Sequence, residues 1–184
     1  MLQGRVYSNS FEELFIYKTS IPQAMDIEEI HEKAHYISIT GIVHRDGKYL
    51  ICQRSPKEKI FPLKWCVPGG RLMQSDFLNT RKDTSDHWLD ILEKTVAKEI
   101  LEECNIRIKN IGYVSSLVLI RPNGFSTVIV SMHADFGSGE ARMMQPDELS
   151  DFAWVTLEQA RDYDLIENIY EQLEKVDELK WKRH

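Results

Sequence analysis

The stretch KEILEECNI, residues 98–106, places three carboxylates, Glu99, Glu102 and Glu103, within five positions. On an α-helix, positions i, i+3 and i+4 lie on one face, so the three side chains come close together and repel one another. Either solvent screens this repulsion or a cation lies among the carboxylates. The stretch therefore predicts a helix with a strongly acidic face, which is either solvated or metal-binding.

The helix predicted around this stretch runs from about residue 89 to residue 104. Apolar residues recur along it at helical spacing and form one broad face, from which the three glutamates largely point away. This apolar face consists of Leu89, Leu92, Val96, Ala97, Ile100, Leu101 and Cys104. Asn105 follows the helix, and asparagine tolerates the left-handed backbone conformation with which many helices end.

Two loops are predicted before the helix. The first, SPKEKIFPLKWCVPGG at residues 55–70, ends in Pro68, Gly69 and Gly70, which disfavour regular structure and let the backbone come close to a ligand. The second, residues 73–87, is polar and predicted to be exposed. The acidic helix is thus preceded by a glycine loop of the kind that approaches ligands.

The remaining chain is predicted to be mostly strands. Two pairs of strands flank turn sequences, and a short strand follows them: 36–44 and 48–54 around Asp46-Gly47, 111–120 and 125–136 around 121–124, and 151–155. Thr156 and Gln159 have the spacing of a helix capping box, and a final amphipathic helix is predicted from about residue 164. The pattern indicates an α+β fold, an α/β/α sandwich in which helices flank a mixed β-sheet.

Composition limits the class of protein. The 184 residues are 42% hydrophobic, which suits one domain, predicted at 36–184, preceded by an N-terminal extension at 1–35. The net charge of −6 argues against a general nucleic-acid binder. Three widely spaced cysteines suggest neither a disulfide framework nor a zinc site, and no segment resembles a leader or a membrane span. We therefore expect a cytoplasmic protein that does not bind membranes.

Gly70 together with KEILEECNI resembles the signature of the Nudix hydrolase family, G-x5-E-x7-R-E-U-x-E-E-x-G-U, in which U is apolar. Residues 99–103 match E-U-x-E-E position by position, and Ile106 matches the closing apolar residue. The resemblance covers about residues 36–175. It implies a Nudix fold and hydrolysis of a pyrophosphate linkage.

Three positions depart from the signature. Lys98 replaces the arginine and Asn105 replaces the second glycine, and both changes keep the charge or the capping conformation that the position needs. The third departure is an insertion of 14 residues, because 27 residues separate Gly70 from Lys98 where the signature has 13. The first signature glutamate is therefore replaced by Asp90 or by Asp76, depending on where the insertion lies.

The resemblance implies which residues bind metal and catalyse. Glu99, Glu102, Glu103 and the backbone carbonyl of Gly69 are the expected ligands of Mg²⁺, or of Mn²⁺, both of which favour hard oxygen donors and bridge readily to phosphates. Glu102 and Glu103 are therefore also counted as catalytic. Glu148, in QPDELSDFAWV, corresponds to a further glutamate that relatives use as ligand or general base, and Asp147 is its alternative.

Three basic residues are expected to bind substrate. Arg54 ends a strand at the place where relatives carry a phosphate-facing arginine, Arg71 follows the glycine pair, and Lys98 either contacts substrate or orients an acidic partner.

The expected function is Mg²⁺-dependent hydrolysis of a nucleoside diphosphate derivative, with nucleotide sugars or nucleoside triphosphates favoured. The alternative is a non-catalytic Nudix-type module that senses a nucleotide or sugar phosphate and binds a partner. An isomerase of the same fold is disfavoured, because residues 66–70 lack the Gly-His-Pro that such enzymes carry there. A homodimer is expected, and no nucleic-acid partner.

Overall fold

The computed structural model describes residue 30 and residues 32–181 of the chain, without the side chains of the last two. Strands dominate the first part of the chain, and a long helix lies near its middle. The elements in chain order are β1 Tyr36–Arg45, β2 Lys48–Arg54, β3 Trp65–Cys66, β4 Gly69–Arg71, α1 Ser75–Leu78, α2 Ile91–Cys104, β5 Ile106–Ile120, β6 Ser126–Gly139, β7 Leu149–Val155 and α3 Ile169–Trp181. A 3-10 turn, Gln159–Asp162, precedes α3.

The strands form one mixed sheet. Its main order is β3-β2-β1-β6-β5, in which β1 and β6 are parallel and the other neighbours are antiparallel. Strand β1 also pairs with β4, and β2 also pairs with β7. The pairing of β1 with β4 is important for the site, because it fixes Gly69 opposite Thr40 and Gly70 opposite Ile39.

Each face of the sheet is covered by one long helix. Alternate side chains of β2 show the division: Leu50 and Cys52 face α2, whereas Tyr49 and Ile51 face α3. Helix α2 adds Val96, Ile100 and Cys104 to one core, and α3 adds Ile169, Leu173 and Val176 to the other. The predicted α+β sandwich of helices on a mixed sheet is confirmed.

Local signals predicted most turns and caps. Asp46 and Gly47 both have positive φ, as a two-residue hairpin turn requires. Asn105 ends α2 in the left-handed conformation, φ 57° and ψ 30°. Thr156 and Gln159 form the reciprocal bonds of a capping box, with N···O distances of 3.0 and 3.2 Å. The box leads into the 3-10 turn rather than into a regular helix.

Several boundaries differ from prediction. Helix α2 begins at Ile91 rather than at residue 89, because the backbone of Asp90 is left-handed, φ 52°, and cannot continue a helix. Helix α3 begins at residue 169 rather than 164. Strand β5 begins directly after the cap of α2, at Ile106, and the exposed loop at 73–87 contains the short helix α1.

The predicted N-terminal extension, residues 1–35, lies almost entirely outside the described residues, so the division at residue 36 stays a prediction. Among the described residues, no helix is both long and apolar enough to cross a membrane.

Candidate metal centre

The glycine loop lies against the C-terminal half of α2 and tolerates no side chain there. The backbone of β1 holds the loop, since the N–H of Gly41 donates to the carbonyl of Pro68 over 2.8 Å. A Cβ on Gly69, whose φ is +153°, would lie 2.2 Å from the carbonyl oxygen of Ile39. A Cβ on Gly70 would lie 2.2 Å from Oε2 of Glu99. Bare backbone at both positions therefore lets the carboxylates of α2 approach β4.

Glu103 is the most deeply buried carboxylate of the site. Its residue is only 3% exposed, and its Oε2 accepts a hydrogen bond from the N–H of Gly69 over 2.9 Å. Burial raises the pKa of Glu103 to about 8, and the charges of Glu99 and Glu148 add to the rise, while Gly69 and Arg54 oppose it. Burial therefore favours the protonated form of this carboxyl near neutral pH.

The burial of Glu103 corrects one prediction. The three glutamates were expected to point largely away from the apolar face, but Glu103 lies on it. Val96, Ile100 and Glu103 are at positions i, i+4 and i+7 of α2, which share one stripe of a helix. The spacing therefore carried the signal that one carboxylate enters the core.

Glu99 faces a different partner. Nζ of Lys98 lies 2.8 Å from Oε1 of Glu99 and 2.9 Å from Oδ1 of Asp76. Burial alone would raise the pKa of Asp76, yet the N–H of Met73 and the ammonium of Lys98 hold it below its ordinary value. Burial alone would lower the pKa of Lys98, yet the carboxylates of Glu99 and Asp76 raise it. Lys98 is therefore the cation that lies between these acids.

The position of Asp76 bears on which aspartate, Asp76 or Asp90, replaces the first glutamate of the signature. Asp76 is on α1, contacts Lys98 and is the sixth residue after Gly70, as the first signature glutamate is. Asp90 precedes α2 and its side chain caps nothing. The geometry favours Asp76, with the insertion falling after it.

Glu102 is the most open of the three glutamates. Its side chain is 48% exposed and one oxygen lies 3.6 Å from Nζ of Lys98. Within residues 30 and 32–181, no three His, Cys, Asp or Glu side chains converge as a ready ligand set. The expected ligands Glu99, Glu102 and Glu103 thus lie on one helix, and the ammonium of Lys98 lies between Glu99 and Glu102.

Arg54 and Glu148 both influence the pKa of the buried Glu103, Arg54 lowering it and Glu148 raising it. Arg54 donates from Nε to the carbonyl of Ile60 over 2.9 Å and from Nη2 to Glu58 over 2.5 Å. Glu148 is exposed just before β7, and its carbonyl accepts the N–H of Ser55 over 2.8 Å. Sequence reasoning missed Glu58, although its spacing of four residues from Arg54 was a signal. The two predicted residues, Arg54 and Glu148, thus act on the protonation of Glu103.

Asp147 and Arg71, two further candidates, point elsewhere. Asp147 pairs with Lys57 over 2.6 Å at the exposed surface. The exposed Arg71 extends over the ring of Tyr36, with Cζ 5.9 Å from the ring centroid. Neither contacts the buried carboxylate.

The cysteines form no disulfide. All three are free thiols, and the sulfurs of Cys52 and Cys104 lie 3.8 Å apart in the core beneath α2. Burial raises the pKa of Cys66 to about 12, although Arg54 opposes the rise. These thiols are therefore packing residues under the site.

A sequence profile of the NUDIX domain matches residues 35–176, most of the chain. The chain belongs to the NUDIX family. The NAD-capped RNA hydrolase NudC of Actinobacillus succinogenes is 40% identical over 67 residues, which are 36% of this chain and 24% of that protein. NudC of Pectobacterium atrosepticum is 36% identical over 70 residues, which are 38% of this chain and 25% of that protein. This NUDIX protein therefore spans about a quarter of the length of these curated relatives.

Solved structures have the same fold. A MutT NUDIX hydrolase from Burkholderia pseudomallei is 25% identical, with a TM-score of 0.60 over 78% of this chain and 99% of that one. The NUDIX domain of Shewanella oneidensis NrtR, solved with ADP ribose, is 18% identical, with a TM-score of 0.62 over 90% and 97% of the two chains. The second likeness concerns the fold alone. The predicted Nudix family and fold are confirmed.

Proposed function

We propose that this NUDIX protein is a metal-dependent pyrophosphohydrolase that cleaves the diphosphate linkage of a nucleoside diphosphate derivative. Mg²⁺ is the proposed ion, with Mn²⁺ as a substitute, and nucleotide sugars or nucleoside triphosphates are the favoured substrates. Membership of a family whose hydrolases generally use a divalent metal supports the class of reaction. A cytoplasmic homodimer that binds no nucleic acid remains part of the proposal.

The burial of Glu103 is the observation that carries the proposal. A carboxylate that is removed from water costs free energy unless it is paired with a cation or protonated. Lys98 compensates Glu99 and Asp76, but among the described residues no lysine or arginine forms an ion pair with Glu103. Without a cation the buried carboxyl of Glu103 therefore holds a proton at neutral pH, and an added divalent cation would take the place of that proton.

The donor set fits a hard cation. Glu102 and Glu103 supply carboxylate oxygens, Gly69 supplies a backbone carbonyl, and Glu99 lies one turn away; carboxylates and carbonyls are the ligands that Mg²⁺ and Mn²⁺ prefer. When bound, the ion would polarise the phosphoryl oxygens and make a bound water more acidic.

The protein's own residues would then position the substrate and move the proton. Arg54 lowers the pKa of Glu103, and its contacts with Ile60 and Glu58 hold the guanidinium in one orientation for a phosphate oxygen. Glu148, which is exposed just before β7, is the proposed acceptor for the proton of the attacking water, a role that requires hydrogen-bond contact with that water. Lys98 holds Asp76 and Glu99 in position, which supports a role in orienting acids more than in contacting substrate.

The experiment that tests this proposal is coupled phosphate release across a panel of candidate substrates. The panel holds nucleoside triphosphates, nucleotide sugars, ADP-ribose and dinucleotides, including NAD because the curated relatives are named for NAD-capped RNA. Each compound is assayed with Mg²⁺, with Mn²⁺ and with EDTA, and nucleoside monophosphates serve as controls without a diphosphate linkage. We expect one preferred compound that is cleaved only with metal. Ligand binding without cleavage of any compound would contradict the enzyme and favour the sensing module.

A further inference from the structure

A second group of cationic side chains lies where β1 begins. Arg71 and Arg121 both extend over the ring of Tyr36, with Cζ atoms 5.9 and 4.9 Å from its centroid. The ring of Phe125 meets Tyr36 edge to face, with centroids 5.8 Å apart. Both guanidinium groups therefore contact the same aromatic ring.

Neither guanidinium is neutralised by a carboxylate among the residues that the structure describes. The ion pairs found there involve other cations, including Arg45, Arg54 and Arg142. Arg45 is a useful contrast, because its guanidinium lies 5.0 Å from the ring centroids of both Phe136 and Trp154 and yet also lies near Asp46, at 3.7 Å. Unlike Arg45, Arg71 and Arg121 therefore have no acidic partner among the described residues.

The backbone and one hydroxyl fix Arg121 in place. Nε of Arg121 donates to Oγ1 of the buried Thr127 over 2.6 Å, and the tight turn at the end of β5 is closed by the N–H of Arg121 bonding to the carbonyl of Phe125 over 2.9 Å. One of the five guanidinium donors is used in this way. The terminal nitrogens make no other hydrogen bond with the described residues and can donate in the forked geometry that matches a phosphate.

The group is connected to the candidate metal centre through β4. Arg71 is the second residue after Gly69, about 7 Å along a strand at the usual rise per residue. Its partner across the sheet is Ser38, two residues from Tyr36. Side chains alternate along a strand, so Arg71 projects to the face of the sheet that carries Tyr36, whereas Gly70 lies against Glu99 on the other face. A ligand whose diphosphate lies at Gly69 and Glu103 would therefore extend past the end of β4 to place a more distant phosphate at Arg71.

We propose that Arg71 and Arg121, held against Tyr36, form a second phosphate-binding site, which receives a phosphate group of the substrate outside the cleaved linkage. The assignment to the substrate rests on the proposed function. The binding of phosphate does not, because no metal ligand belongs to this group.

A titration in EDTA tests the site without any metal chemistry. Pyrophosphate is the probe, and its binding to the full chain is followed by 31P NMR for wild type, R71Q, R121Q and R45Q. We expect wild type to bind with a Kd of about 1 mM or below. Each of R71Q and R121Q should bind about 10-fold more weakly, because a charged hydrogen-bonding partner is lost. R45Q removes an arginine that also stacks on aromatic rings, and it should bind like wild type.

Three outcomes of this titration would overturn the site: no binding by wild type, equal binding by R121Q, or an equal loss in R45Q. Circular dichroism melts of all four proteins establish that each variant is folded.

The second arm uses the substrate that the panel identifies. In R121Q the loss of kcat/KM should appear as a rise in KM of about 10-fold, because a contact remote from the cleaved bond is made equally in ground and transition states. An unchanged KM would overturn the assignment of the site to the substrate. If no panel compound is cleaved, the proposed function fails, and the EDTA titration alone decides whether the site binds phosphate.

Discussion

Glu99 and Glu103 lie one turn apart on α2, yet their charges are balanced in different ways. Glu99 has the ammonium of Lys98 at 2.8 Å, and Lys98 also holds Asp76. Glu103 is buried against the glycine loop, and among the described residues its side chain accepts a hydrogen bond only from the N–H of Gly69. Burial and neighbouring carboxylates raise its pKa to about 8. One end of the acidic face is thus compensated within the protein, and the other end requires a proton or an added cation.

The largest test of this difference is E103Q. If Glu103 is a metal ligand, its amide keeps the shape of the side chain but loses the charge, and turnover of the panel's preferred substrate should fall at least about 100-fold, more than the loss usual for a residue that only supports a ligand. The turnover of E102Q should fall as well. E93Q, on the first turn of the same helix, is the matched control and should keep its turnover. Near-normal rates in both E102Q and E103Q would refute the ligand assignment.

The pH dependence of stability sharpens the comparison. Between the ordinary glutamate pKa of 4.5 and about 8, folded Glu103 holds a proton that the unfolded chain has released. Without metal, the free energy of unfolding should therefore fall as pH rises through this window, by an amount on the order of 5 kcal/mol. The groups that set this shift besides burial are Glu99, Glu148 and Arg54.

Thermal melts from pH 4.5 to 9 in EDTA, repeated with Mg²⁺, measure the effect. Mg²⁺ should raise Tm most at the alkaline end, where the uncompensated charge is present. E103Q should show a flatter pH profile and little response to Mg²⁺. A wild-type profile as flat as that of E103Q would mean that the burial of this carboxylate carries no charge penalty.

The compensated end is tested by D76N. Loss of the Asp76 carboxylate, whose side chain is only 10% exposed, leaves Lys98 with one partner fewer and should lower the free energy of unfolding by about 1–3 kcal/mol. D90N is the control and should change it by less than about 0.5 kcal/mol, because Asp90 makes no capping bond and asparagine also tolerates its left-handed backbone. Denaturant unfolding measures both variants. A larger loss in D90N would place the first signature acid at Asp90 instead.

The smallest effect is expected away from both ends of the face. Lys57 and Asp147 form an ion pair at 2.6 Å, but their side chains are 72% and 82% exposed. K57A should leave the free energy of unfolding close to that of wild type, because solvent screens such pairs. Denaturant unfolding in low and high salt checks this prediction. A loss comparable with that of D76N would show that exposure does not separate the ion pairs of this protein.

Where short-range chemistry determines structure, the sequence was sufficient. Asp46-Gly47 specified a hairpin turn, and Asn105 specified the end of α2. The predicted start of α2 was wrong, because nothing in the residues around Asp90 distinguishes a left-handed backbone from a helical one.

The site was only partly predictable, for the same physical reason. Gly69, Glu99, Glu102 and Glu103 were named from one motif, whose members are close in sequence or at fixed spacing. Counting across an insertion could not choose between Asp76 and Asp90, since only the contact with Lys98 distinguishes them. Tyr36 and Arg121 were missed altogether, because their contact joins positions 85 residues apart that share no local pattern.

The most direct test of the uncompensated end of α2 is its affinity for Mn²⁺. Free Mn²⁺ is quantified by EPR during titration of wild type, E103Q and E93Q at pH 8. If the carboxylates at this end bind a divalent cation, wild type and E93Q should deplete free Mn²⁺ alike, and E103Q should bind it at least about 10-fold more weakly. Equal Mn²⁺ binding by E103Q and wild type would contradict the account.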